Sequence, residues 1–289
     1  MIRLDSKTIS SDVMQILNEL QNKINNETTF EKKAEKSKSL WKSKGGKKGE
    51  QAFEIIRKVL YDMCVYIGTC NYCEHNEASD IEHIYPKSFF PEKTFDWENY
   101  LLVCKECNSA YKLDKCYILD NNDEIIFVKR KEEPPYKTLA FINPRVENPE
   151  RFMILSPDSF EFELLSDLDK KDTNKSNSTL QILKLNQRHT FLHKRKSVAN
   201  NCYETMERLI KIMSANSLEE LKSVLRPNDD RFDFTFSLDK LKSEIKESYK
   251  RHISRYEHPS VWYSIKLIAS KTNEKWKTIF EKIPEALNW

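Results

Sequence analysis

The apolar positions change their period along the chain, and the changes divide it. Val13, Ile16, Leu17, Leu20 and Ile24 recur at helical spacing, and Phe53, Ile56, Val59 and Leu60 resume it, so residues 11–60 read as helical. From 61 to 118 this period gives way to cysteines, aromatics and turn residues. Residues 119–165 read as short strands: Ile125 to Val128, Thr138 to Ile142, and Phe152 to Leu165 with a turn at Ser156-Pro157-Asp158. Pro134-Pro135, Asn143-Pro144 and Asn148-Pro149 keep helix out of that stretch. Helical spacing returns near 175. It predicts a long helix from Arg188 to Met213, another opening at Ser217, and further helices near 237–256, 260–271 and 274–287. The polar run Asp167 to Ser178 reads as a surface loop. The predicted class is α+β, in three segments: an N-terminal helical region (1–60), a cysteine-rich module (61–118), and a C-terminal region (119–289) of short strands and then helices. About 100 residues of C-terminal helix suit binding to a partner chain or to a second copy of this one.

Cysteine spacing supplies the first chemistry. Cys70-Asn71-Tyr72-Cys73 and Cys104-Lys105-Glu106-Cys107 are two C-x-x-C pairs, each able to close a turn with both sulfurs aimed at one ion. Four thiolates complete a closed tetrahedral set, which predicts a structural zinc with no open position for a reaction. Met1 to Ser10 has no apolar stretch of a secretion signal, and no apolar run approaches a membrane span. A cytoplasmic, reducing location is therefore expected, where paired cysteines read as metal ligands before disulfides. Cys64, Cys116 and Cys202 are left as buried free thiols.

Between the pairs lie Asp80-Ile81-Glu82-His83-Ile84-Tyr85-Pro86-Lys87-Ser88 and Asp96-Trp97-Glu98-Asn99-Tyr100-Leu101-Leu102-Val103. Asn108 and Lys112 follow the last cysteine. Ile81 to Ile84 reads as a strand and Asn108 to Lys115 as a helix, which the zinc would tie together. The order C-x-x-C, acid-His, Asn-x-Leu-Leu, C-x-x-C-Asn resembles the HNH nucleases of ββα-metal fold, in the variant with a four-cysteine knuckle. Asn143-Pro-Arg-Val-Glu-Asn-Pro-Glu and Thr179-Leu-Gln-Ile-Leu-Lys-Leu-Asn extend the likeness to nuclease subunits of bacterial Septu-type antiphage systems, which work beside an ATPase.

The resemblance implies a phosphodiester hydrolase. His83 would be the general base, since a neutral imidazole suits that task near pH 7. Glu82 and Asn108 would hold one catalytic ion, with Asp80 as the fallback ligand. Their hard oxygens favour Mg²⁺ or Mn²⁺. Asn99 would hold the loop that carries His83. Strand alternation sets residues 80 and 82 on one face and 83 on the other, so the strand must twist or end near His83. Lys87 and Lys112 are candidate phosphate contacts, with solvated lysines as the plainer reading. DNA is the expected substrate. The alternatives are an RNA (tRNA) nuclease, or a zinc-knuckle binding subunit whose nuclease centre is inactive.

Composition narrows the partners. Glycine occurs only 4 times in 289 residues, no G-x-G-x-x-G exists, and Gly45-Gly46-Lys47-Lys48 lacks the leading glycine of a P-loop. Rossmann enzymes and P-loop ATPases are excluded, so a nucleotide-driven step belongs to another chain. The net charge of +3 hides a division. Residues 1–60 carry 13 basic and 8 acidic side chains, residues 61–118 carry 5 and 10, and residues 119–289 carry 30 and 27. The acidic module suits a metal site and not a phosphate cradle. Attraction for nucleic acid must then come from Lys32–Lys48, Lys129-Arg130-Lys131 or Lys184–Lys196. The first of these holds eight lysines against Glu35 and reads equally as a solvated helix face with a turn at Gly45-Gly46.

Overall fold

The computed structural model describes residues 1–66, 68–225 and 232–289. The chain forms two compact units: Met1–Ile154 with Phe162–Arg188, and Leu155–Glu161 with His189–Trp289.

The first unit opens with three helices, α1 (Ser11–Asn25), α2 (Phe30–Ser43) and α3 (Lys47–Asp62). α1 buries Val13, Leu17, Leu20 and Ile24, and α3 buries Phe53, Ile56 and Leu60, as the spacing predicts. α2 is the lysine-rich stretch and buries only Ser37. Thr29 caps it by accepting from the Lys32 amide at 3.3 Å. It ends at Lys44 in the left-handed region (φ 52°). Glycine is required at the turn that follows. A Cβ on Gly45 would lie 2.4 Å from Leu20 Cδ2, and one on Gly49 would lie 1.6 Å from the Lys44 carbonyl oxygen.

β1 (Asp80–His83) pairs antiparallel with β2 (Tyr100–Val103), in register from Asp80↔Val103 to His83↔Tyr100. A π-helix, Glu106–Lys112, follows directly. It begins two residues before the expected helix and stops at Lys112, where the Leu113 amide donates back to the Asn108 carbonyl. Two strands and this helix make the ββα unit. Beyond it, β3 (Tyr117–Leu119) lies between β4 (Ile125–Phe127) and β5 (Thr138–Leu139), and β6 (Met153–Leu155) pairs with β7 (Phe162–Leu164).

Residues 167–178 are not a surface loop. α4 (Lys170–Leu183) runs through them, capped by Asp169, which accepts from the Asp172 amide at 2.8 Å. Three of its buried polar residues, Lys175, Ser176 and Thr179, have partners that make burial tolerable. The Ser176 and Thr179 hydroxyls donate to the Asp172 and Lys175 carbonyls, and the Lys175 ammonium pairs with Glu147.

The second unit is helical: α5 (His189–Ser214), α6 (Leu218–Val224), α7 (Leu238–Ser254), α8 (Pro259–Ser264), α9 (Ser270–Thr272) and α10 (Glu274–Lys282). α5 packs against α7, α8 and α10, and Trp262, Trp276 and Phe280 meet with ring centroids about 6 Å apart. Among the described residues, no helix is long and apolar enough to cross a membrane.

Candidate active site

The four knuckle cysteines come together. Cys70, Cys73, Cys104 and Cys107 are buried, with all sulfurs within 4.8 Å of one another. The Cys73 and Cys104 sulfurs are 3.9 Å apart. A tetrahedral zinc with bonds of about 2.3 Å needs sulfurs about 3.8 Å apart, so the cluster could hold that ion. The turns that aim the sulfurs are hydrogen-bonded: the Glu74 amide donates to the Cys70 carbonyl at 2.8 Å, and the Cys107 amide donates to Cys104 Sγ at 3.4 Å. Asn71 anchors the first turn to β2 by donating to the Leu102 carbonyl at 2.7 Å. A remote residue joins them. Arg188 Nη1 donates to Cys107 Sγ at 3.4 Å while its other nitrogen pairs with Glu106. That cation would offset part of the negative charge of four metal-bound thiolates. Of the remaining cysteines, Cys116 and Cys202 are buried and Cys64 is only half-buried. Burial pushes the Cys64 thiol up to about 11 and the other two up to about 12, so all three are protonated and unreactive.

β1 presents its two faces to different neighbours. On one face the Asn108 amide donates to Asp80 Oδ2 at 3.0 Å, and the Lys112 ammonium pairs with Glu82. The match is geometric. Residues 80 and 82 share one face of the strand, and residues 108 and 112 lie close to one turn apart on the helix, so the two pairs meet in turn. This corrects two expectations. Glu82, expected as a metal ligand, is buried and committed to a lysine. Lys112, expected as a phosphate contact or a solvated lysine, is 1% exposed and also donates to the His83 carbonyl at 2.8 Å. The structure instead brings the fallback residue Asp80 beside Asn108. Both line an open cleft of about 440 Å³, with Trp41, Lys44, Phe53 and Arg57 among the other lining residues. Glu50 and Glu54 also border it.

His83 ends β1 on the other face. Its ring packs 4.2 Å, centroid to centroid, from Trp41 and 5.4 Å from Tyr100. Nε2 lies 2.9 Å from the Thr94 carbonyl oxygen. A carbonyl can only accept, so Nε2 carries the proton and Nδ1 keeps the lone pair of the neutral ring. Burial, with repulsion from Lys87, holds the imidazole well below its ordinary range, so it is neutral at physiological pH. Three further hydrogen bonds fix the loop after β1. Asn99 Oδ1 accepts from the Tyr85 amide at 2.7 Å, and Asn99 Nδ2 donates to the Tyr85 and Lys93 carbonyls at 3.0 and 2.8 Å.

Three contributors were not singled out individually in the sequence. Trp41 lies about forty residues before His83. Arg145 is buried and donates to the Trp97 and Tyr100 carbonyls at 2.7 and 2.9 Å, bracketing Asn99. Lys44 stands over the Trp41 and Phe53 rings at 3.0 and 4.5 Å. Burial, then repulsion from Lys87 and Arg57, brings its ammonium down to about 7. Lys87 is half-buried, 5.7 Å from the Trp41 ring. His189 and His193, at helical spacing on α5, are exposed.

Two strands and a helix clamped by a four-thiolate knuckle, with an acid–histidine strand end beside an asparagine, define a nuclease module of HNH type. Residues 70–112 match the family model for the HNH endonuclease domain, from the first knuckle cysteine to Lys112. The chain is also similar to the Septu protein PtuB of Bacillus thuringiensis, with 26% identity over 177 residues, 58% of this chain and 57% of that protein. The alignment thus spans little more than half of either chain. No solved structure matches.

Proposed function

We propose that the chain is a metal-dependent endonuclease that hydrolyses phosphodiester bonds of DNA. We further propose that it is the nuclease subunit of a cytoplasmic Septu-type antiphage system, controlled by an ATPase partner. The observation that carries the chemistry is the juxtaposition of two oxygen-bearing side chains in an open cleft, Asp80 and Asn108, at the strand whose end holds a neutral histidine. The similarity to the Septu protein supports the setting.

Asp80 and Asn108 would hold the catalytic Mg²⁺ or Mn²⁺, Asp80 taking the place expected of Glu82. Held by these two side chains, such an ion would supply Lewis-acid stabilisation of the charge that builds on the phosphate and the leaving 3′-oxygen. His83 receives a proton from water at Nδ1 while its Nε2–H stays on the Thr94 carbonyl, which fixes the tautomer and the ring plane. Asn99 positions the loop and does not touch the reaction. Lys112 bridges Glu82 to the His83 carbonyl and so ties the base to the helix that carries Asn108. Cys70, Cys73, Cys104 and Cys107 would bind zinc as the structural staple of the module. Lys87 remains available for a backbone phosphate.

The test is cleavage of supercoiled plasmid, single-stranded DNA and a tRNA pool, with and without the co-purified ATPase, in Mg²⁺ or Mn²⁺. Plasmid should be nicked by wild type, and both EDTA and His83→Ala should abolish nicking. Cleavage of tRNA with intact plasmid overturns the DNA assignment. Equal inactivity of wild type and His83→Ala, even with the partner present, overturns the enzyme reading and leaves a zinc-knuckle binding subunit.

A further inference from the structure

The HNH module is the acidic part of the chain, yet its substrate is a polyanion. Of the eight lysines between Lys32 and Lys48, the one that lines the cleft is Lys44. Three of the four glycines in the chain, Gly45, Gly46 and Gly49, build the turn that presents it. Its ammonium rests on the Trp41 and Phe53 rings, and among the described residues no carboxylate is paired with it. Arg57 lines the same cleft and donates to the Ser79 carbonyl, one residue before Asp80. Like charges gathered at one opening repel one another and attract an anion. Glu50 and Glu54, which also line the cleft, temper that field, and Asp80 in the same lining is suited to a metal cation.

We propose that Lys44, seconded by Arg57, forms a phosphate-binding wall in the nuclease cleft. It holds a backbone phosphate of the nucleic acid while the scissile bond faces Asp80 and Asn108. This rests on the nuclease reading for its substrate, but the lysine and the metal pair act on different parts of it. The helices before the motif are then part of the active site, and the site is a composite of the α2–α3 turn and the ββα unit. The basic run divides accordingly: one lysine makes a specific contact, and the others supply at most a general field.

The experiment is binding of a fluorescein-labelled DNA duplex in EDTA, followed by anisotropy across a salt series. The proteins are full-length wild type, Lys44→Asn, Lys44→Arg and Lys47→Gln. Asparagine suits the left-handed backbone at this position, so the first variant should keep the wild-type melting temperature. Lys44→Asn should weaken binding at least about fivefold at 0.1 M salt and lower the salt slope by about one, the value of one phosphate contact. Lys44→Arg should keep both within about twofold, and so should Lys47→Gln, an exposed lysine on the same turn. An unchanged slope for Lys44→Asn, or an equal loss for Lys47→Gln, overturns the proposal. Plasmid cleavage run in parallel separates the two readings. A wild type that never cleaves, with the Lys44 loss intact, sinks the nuclease and keeps the phosphate site. Normal cleavage and binding by Lys44→Asn does the reverse.

Discussion

The knuckle and the cleft meet on the same ββα unit, yet they treat charge in opposite ways. The knuckle gathers four identical ligands, buries all of them, and supports them with hydrogen bonds from Asn76, Arg188 and the backbone. The cleft gathers unlike groups, an acid, an amide and a lysine on an aromatic floor, and leaves them at an opening. A closed set of four thiolates suits an ion that never leaves. A half-open set with oxygen donors suits one that must share its shell with a substrate.

The largest expected effect breaks the closed side. Cys107→Ser should remove stoichiometric zinc, read by elemental analysis. Structural zinc contributes on the order of 10 kcal/mol, so this variant should lose the cooperative melting transition of the first unit, and chelation of wild type should reproduce the loss. A variant that keeps its transition without zinc would show that the knuckle is ornamental. Next comes the open side. His83→Ala should lower plasmid cleavage by about 10²–10⁴-fold with zinc content unchanged. A loss of zinc along with activity would merge the two regions into one.

Glu82→Gln and Asp80→Asn sharpen the division within β1. Removing the Glu82 charge leaves the Lys112 ammonium buried without its partner, so stability should fall by about 3–5 kcal/mol, measured by urea unfolding. Asp80→Asn should change stability little and instead raise the Mg²⁺ or Mn²⁺ concentration that gives half-maximal cleavage. The opposite pattern would restore Glu82 as the metal ligand. The smallest effect returns to the knuckle. Arg188→Gln should weaken zinc retention about 10–100-fold against a competing chelator, as loss of an outer hydrogen bond to a ligand does, without preventing folding.

How much of this was legible depends on whether the deciding distance lies along the chain or across it. The knuckle was readable because a turn of fixed geometry sets two cysteines three positions apart. His83 and Asn108 were singled out by the order of residue types, and the structure sets them on β1 and on the helix that follows β2. The different partners of Asp80 and Glu82 were not legible, because they are set by how β1 lies against the Glu106–Lys112 helix, and no spacing records that register. Lys112 misled for the same reason: composition cannot tell an ammonium in water from one buried against a carboxylate. The polar run before Ser178 hid α4 because its hydroxyls bond to the preceding turn and its lysine pairs with Glu147. Asn143-Pro-Arg-Val-Glu-Asn-Pro-Glu and Thr179-Leu-Gln-Ile-Leu-Lys-Leu-Asn stood out as motifs, and the structure gives them work. Arg145 clamps the carbonyls around Asn99, Thr179 accepts from the Ile142 amide at 2.9 Å, and Asn186 makes two bonds to the Phe162 backbone at 2.8 Å.

The glycines of the α2–α3 turn bear on how this chain could be made sturdier. Replacing glycine with alanine is a common route to stability, because it narrows the unfolded ensemble by about 0.4–1 kcal/mol per site where the native backbone tolerates a side chain. Gly45 and Gly46 have φ of 71° and 94°, Gly68 has 68°, and Gly49 has no room for a methyl group. None of the four positions is open to that substitution. The glycine-to-alanine route is therefore closed, and gains must be sought elsewhere. Selection for heat resistance should therefore return changes in packing, capping or surface charge, and leave residues 45, 46, 49 and 68 untouched.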